Sequence, residues 1–253
     1  MGSRLGWIAA VFAFVLTGCP KGSASTQGTV APDEQAFVPI PIPEVTEREV
    51  KPAHTVYLNR EGATLVSGRD DAGRNLSSIV SAELGQFDVP AWQGSAARWT
   101  QVVDCVRGYF ERYDVEIVDR RPVEPGYVMV VLGGTAEGLL DQDQPTRGTV
   151  TGLAPFNGQA IENAVAVVFT RTLRESKPRV CEVTAMEIGH VFGLDVSRNC
   201  HDLMSFRTPC GARTFREEAA PCGIDEDRTC VDGGPTQSSH EVLLQVLGPR
   251  STE

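Results

Sequence analysis

"AMEIGHVFGLDVSRNCHDLMSF", Ala185 to Phe206, is the stretch on which the reading of this chain turns. Its first half has the apolar spacing of a helix, and Glu187 and His190, three apart, fall on one face of it. Gly193 then supplies a stop, since glycine adopts the left-handed backbone with which helices commonly end. Asp195, His201, Asp202 and Met204 follow within a short loop. A carboxylate and imidazoles held this close raise the question of a metal.

The order M-E-I-G-H-V-F-G-L-D-V resembles the H-E-x-x-H-x-x-G-x-x-H pattern of the metzincin zinc metallopeptidases, nearest the matrixin-like branch. Where the full pattern occurs, histidines four apart on a helix share the ion and the glutamate acts as general base. The glycine then lets a third ligand return to complete the site. By this resemblance Glu187 stands at the general base, His190 at the second ligand, Gly193 at the hinge glycine and Met204, in "DLMS", at the Met-turn. Met186 and Val196 stand where the first and third zinc ligands belong. Phe206 falls where some members carry a metal-binding tyrosine, and it has no hydroxyl.

Those two departures bear on the reaction. A catalytic zinc uses three protein ligands, a neutral thioether suits Cu(I) better than Zn(II), and valine offers no donor. Losing even a second-shell partner costs about 10–100-fold in metal affinity. The resemblance therefore implies a fold kept without its zinc, with a buried Glu187–His190 contact in place of the ion. A rearranged zinc site remains open, with Glu187 as base and His190, His201 and either Asp195 or Asp202 as ligands. His54 and His240 read as structural or exposed.

Outward from the stretch, "AVAVVFT" (164–170) and "YVMVVLGG" (127–134) are continuous apolar runs, as strands covered on both faces require. "HTVYLN" (54–59) and "VEIVD" (115–119) alternate like half-buried strands. From Ser95, an N-cap, the positions Trp99, Val102, Val103, Val106, Phe110 and Tyr113 recur at helical steps. The motif helix is expected over 182–192, and "SSHEVLLQVLG" reads as a short capped C-terminal helix. The expected fold class is α+β: a metzincin- or zincin-like sandwich with one mixed twisted sheet, two long helices, a Met-turn and a short C-terminal helix.

The N-terminus carries Arg4, the apolar run "GWIAAVFAFVLTG" and then Cys19. That run is short for a membrane span and has the pattern of an export signal. "LTGC" resembles the bacterial lipobox, which implies cleavage after residue 18 and lipidation of Cys19. The expected organisation is a signal peptide (1–18), a lipidated Pro/Ser/Thr-rich tether (19–53) and a metzincin-like domain (54–253) with a cysteine-rich part (200–235). Acylation implies a lipid bilayer as partner, and Pro20 after the cysteine, by resemblance to enterobacterial lipoprotein sorting rules, implies the outer membrane.

Of the 7 cysteines, Cys19 is assigned to lipid, and an even set in an exported chain implies disulfides. Short spacing suggests Cys200–Cys210 and Cys222–Cys230, which leaves Cys105–Cys181, among fifteen possible connectivities. A net charge of -10 without any basic cluster argues against a nucleic-acid partner. "GRDDAGRN" and "DQDQ" offer oxygen ligands for a structural calcium but lack a full loop spacing. The expected function is binding or structural: a peptide or protein ligand held in the former cleft. The alternatives are an active metallopeptidase with a rearranged site and an unrelated envelope scaffold.

Overall fold

The computed structural model describes residues 54–139, 150–174, 176–207 and 209–251. The signal segment 1–18, Cys19, the tether 19–53 and the "DQDQ" loop lie outside the described residues. In chain order the elements are β1 (His54–Asn59), β2 (Ala63–Ser67), β3 (Leu76–Ser77), β4 (Gln86–Val89), α1 (Ala96–Tyr109), β5 (Val115–Val118), β6 (Val128–Leu132), β7 (Gly152–Leu153), β8 (Val165–Val168), α2 (Lys177–Val191) and α3 (Ser239–Leu247). The class is α+β, with a mixed sheet and, among the described residues, three α-helices.

The main sheet runs in the order β5-β1-β6-β8-β7. Its first four strands are parallel, and β7 joins β8 antiparallel at one edge. Strand side chains alternate between faces, and both faces here are apolar. Val56, Leu58, Val130, Leu132, Ala166 and Val168 face the three helices. Tyr57, Met129, Val131, Val165 and Val167 face the opposite way, with Leu65 and Val89. This is why β6 and β8 are apolar at every position.

A second sheet, β3-β2-β4, supplies the cover on that other face. The expectation of one sheet is corrected on this point. "ATLVS" and "QFDV" are half polar because their outer sides meet water, and β3 has only two residues. None of the three carries the long alternation by which a strand is recognised.

Ser95 caps α1 by accepting from the Arg98 N–H, and Trp99, Val102, Val103 and Val106 are its buried stripe. The helix stops at Tyr109, so Phe110 and Tyr113 continue the buried pattern from a turn beyond it. α2 begins at Lys177, ahead of the expected 182, because Pro178 fits a first turn that needs no N–H there. The disulfides are Cys200–Cys210 and Cys222–Cys230, the pairs suggested by short spacing, and Cys105–Cys181, the pair these leave. The last of them ties α1 to α2. Among the described residues no helix is long and apolar enough to cross a membrane.

Candidate functional site

α2 is buried along most of its length, and its C-terminal turn carries the residues singled out above. Gly193 ends it with φ +92, and a Cβ there would stand 3.1 Å from the backbone of Gln159. Glycine is required on both counts. The loop after β7 closes over this end: Ile161 N–H donates to Val191 O at 2.9 Å, and Ala160 bridges to Phe192.

Glu187 is 5% exposed. Its carboxyl lies against Gly152 of β7, where an added Cβ would stand 2.7 Å from Glu187 Cδ. Among the described residues no hydrogen bond or ion pair to this carboxyl is found. Burial pushes its pKa up to about 8, so it is held neutral at pH 7.

His190 turns elsewhere. Its Nδ1 sits 2.8 Å from Leu194 O, and since a carbonyl only accepts, Nδ1 carries the proton. Burial lowers its pKa, against the opposing pull of the Leu194 carbonyl and Asp195. The ring of Phe156 lies 5.4 Å from the imidazole, centroid to centroid. The expected Glu187–His190 contact is therefore not formed. The carbonyl freed at the helix end captures the imidazole, and the carboxyl packs under the neighbouring strand instead.

Met186 is 4% exposed and belongs to the main core. Val196 offers only its backbone, its carbonyl accepting from Gly223 N–H at 2.9 Å. Met204 is fully buried in a tight turn closed by Ser205 N–H donating to Asp202 O at 3.1 Å. A Cβ on Gly189 would come within 2.6 Å of the Met204 sulfur, so glycine lets the turn pass close beneath the helix. Asp202, whose pKa burial raises, accepts from Met204 N–H at 2.9 Å and from the Ser239 hydroxyl at 2.9 Å.

His201 is exposed, its ring edge near Gly211. His54 stands edge-on to Phe192, with ring centroids 6.0 Å apart. His240 is buried, 2.8 Å from the Tyr113 hydroxyl and 3.1 Å from Arg112. In "GRDDAGRN", Asp70 accepts from Ser78 and the Val165 N–H, and Asp71 caps a single 3-10 turn.

Asp195 has a role that the sequence did not disclose. Its carboxylate takes both ends of the Arg228 guanidinium, at 2.6 and 2.8 Å, and the N–H groups of Val196 and Val231. Burial raises its pKa, but these four donors outweigh that and hold it below the usual carboxylate range. Its own N–H donates to Gln237 Oε1 at 2.8 Å. The residue following Gly193-Leu194 is thus clasped by the cysteine-rich tail.

Among the described residues one set of three or more His, Cys, Asp or Glu side chains is close enough to share an ion: Asp195, Cys222 and Cys230. The two cysteines are joined as a disulfide and have no thiolate to give. At the positions where the resemblance puts the three zinc ligands stand His190, whose Nδ1 is engaged with Leu194 O, the buried thioether of Met186 and Val196, which has no side-chain donor. That set does not fit a zinc ion.

Compared with known proteins, the chain matches no family model, and no curated protein is significantly similar to it.

Proposed function

We propose that the chain is an exported, lipid-anchored protein of the cell envelope whose domain has the metzincin-like sandwich fold without its zinc site. It binds an extended peptide segment of a partner protein and does not cut it.

One observation carries this reading: the buried carboxyl of Glu187 lies against Gly152, on the strand that ends the sheet among the described residues. Thr151 and Leu153 face β8, so Gly152 turns its N–H and C=O outward. Among the described residues those groups have no protein partner. An extended segment pairs with such an edge through its backbone and takes its specificity from pockets for alternate side chains. Against the same strand, where a hydrolase needs an activated water, stands the buried carboxyl of Glu187, while His190 is turned to Leu194 O and Met186 packs in the core. Cys19, behind its apolar leader, supplies the anchor in this reading, and residues 19–53 supply the reach.

The test is hydrogen exchange at Gly152 in the purified chain exposed to a panel of extended peptides. A bound peptide slows exchange there and is recovered intact. Cleaved peptide, with cleavage abolished by Glu187→Ala, would establish hydrolysis instead.

A further inference from the structure

The two edges of the five-stranded sheet are treated differently. At β7, among the described residues, no hydrogen bond is made to the N–H or C=O of Gly152. At the far edge, β5 has its outward carbonyls occupied. Residues 115 and 117 share the side facing away from β1, as strand alternation requires. Val115 O accepts from Arg250 Nη2 at 2.7 Å, and Ile117 O accepts from Arg107 Nε at 3.0 Å.

The two guanidiniums come from separate elements. Arg107 projects from α1, where it also meets Asp104 at 3.3 Å. Arg250 is carried on the chain after α3, which runs beside the start of β5. Asp114 N–H donates to Gly248 O at 3.0 Å, Arg250 N–H donates to Arg112 O at 3.0 Å, and Tyr113 bridges to Pro249. Pro249 has no N–H to offer a further strand. Hollows of about 380 and 330 Å³ lie along β5, and Arg107 lines both. The edge is a groove with side chains laid across it.

We propose that Arg107 and Arg250 form an edge guard, and that without them β5 pairs with β5 of a second copy of this chain. An unpaired edge is a template for another strand, and proteins blunt such edges with charge and covering segments. A second copy is the occupant the geometry favours. Two β5 strands related by a two-fold axis set the Ile117 N–H of each opposite the Val115 carbonyl of the other, while the Val115 N–H stays on Tyr113 O at 2.8 Å. Glu116, exposed between them, adds to the guard, because antiparallel pairing about this residue sets two carboxylates opposite each other. The proposal is independent of what binds at β7.

The test uses the full chain carrying Glu116→Cys, with and without Arg107→Ala and Arg250→Ala, treated with a short bis-maleimide. Linkage between the two copies of position 116 is located by peptide mass spectrometry, which separates it from any linkage through Cys19. The guard predicts little linkage with both arginines present and at least a tenfold rise, on the order of 1.4 kcal/mol of pairing, when both are removed. A folded triple variant, with its three disulfides intact and an unchanged circular dichroism spectrum, that shows no such rise overturns the proposal. Should that variant not fold, Arg250→Ala with Glu116→Cys carries the same decision, since Arg250 is an exposed residue near the chain end.

Discussion

The carboxyl of Glu187 and the α-carbon of Gly152 are in contact across the gap between α2 and β7, with no room for a side chain between them. This pair explains how the glutamate is buried: a strand covers it. It also explains why a glycine begins β7, since glycine is otherwise unfavourable in a strand.

Gly152→Ala should therefore destabilise the domain by about 1–3 kcal/mol, as overpacking does. Glu187→Ala removes the obstructing atoms, so the double variant should recover part of that loss. A double-mutant cycle by urea denaturation measures the coupling. Additive effects would mean that the two residues do not share this space.

The same burial sets a pH dependence. The folded-state pKa of Glu187, about 8, lies above its ordinary value of 4.5. The folded form then holds a proton that the unfolded form releases, so stability is full below about 4.5 and falls as pH rises to about 8. The loss is on the order of 5 kcal/mol, or roughly 10–20 °C in Tm. Glu187→Gln does not titrate, and its Tm should change less between pH 5 and pH 9. Equal profiles for the two proteins would contradict the burial argument.

Asp195 and Arg228 give the opposite sign. The depressed pKa of Asp195 means that its contribution is present above the ordinary carboxylate pKa and is lost as pH falls through the lowered value. Arg228→Ala leaves a buried carboxylate with backbone donors alone. Arg228 is 46% exposed, so the loss should be about 1–3 kcal/mol, below that of a fully buried pair. Amide exchange at Val231, whose N–H bonds to Asp195, should accelerate with it.

The disulfides should rank by the loop each closes. Cys105–Cys181 spans 76 residues of sequence, against 10 and 8 for the other two. Loop-closure entropy then assigns it about 4.5 kcal/mol, and about 2.5 to 3 to each short one. Paired Cys→Ala substitutions and thermal melts test the order. A larger loss from Cys200–Cys210 would reverse it.

Much of the fold was legible because it rests on strong local patterns. The apolar runs at 127–134 and 164–170, the alternation at 54–59 and the stripe from Trp99 to Val106 each declared an element. β2, β4 and β7 declared little, since a short strand with one wet side looks like a polar loop. At the site, the buried Glu187 was expected from its neighbours, but its partner was not. Gly152 lies far from it in sequence, in a stretch with no periodicity. The turn of His190 toward Leu194 O depends on where the helix stops. Asp195 was weighed as a metal ligand because its partner, Arg228, sits in a tail whose course only the disulfides fix.

The most direct test of the central claim is the zinc content of the purified chain, measured by elemental mass spectrometry beside a Met186→His/Val196→His variant. The account predicts no stoichiometric zinc in the natural chain and a gain in the variant, where two lost donors are restored to His190. One zinc per natural chain, retained through dialysis and lost on His190→Ala, would contradict it.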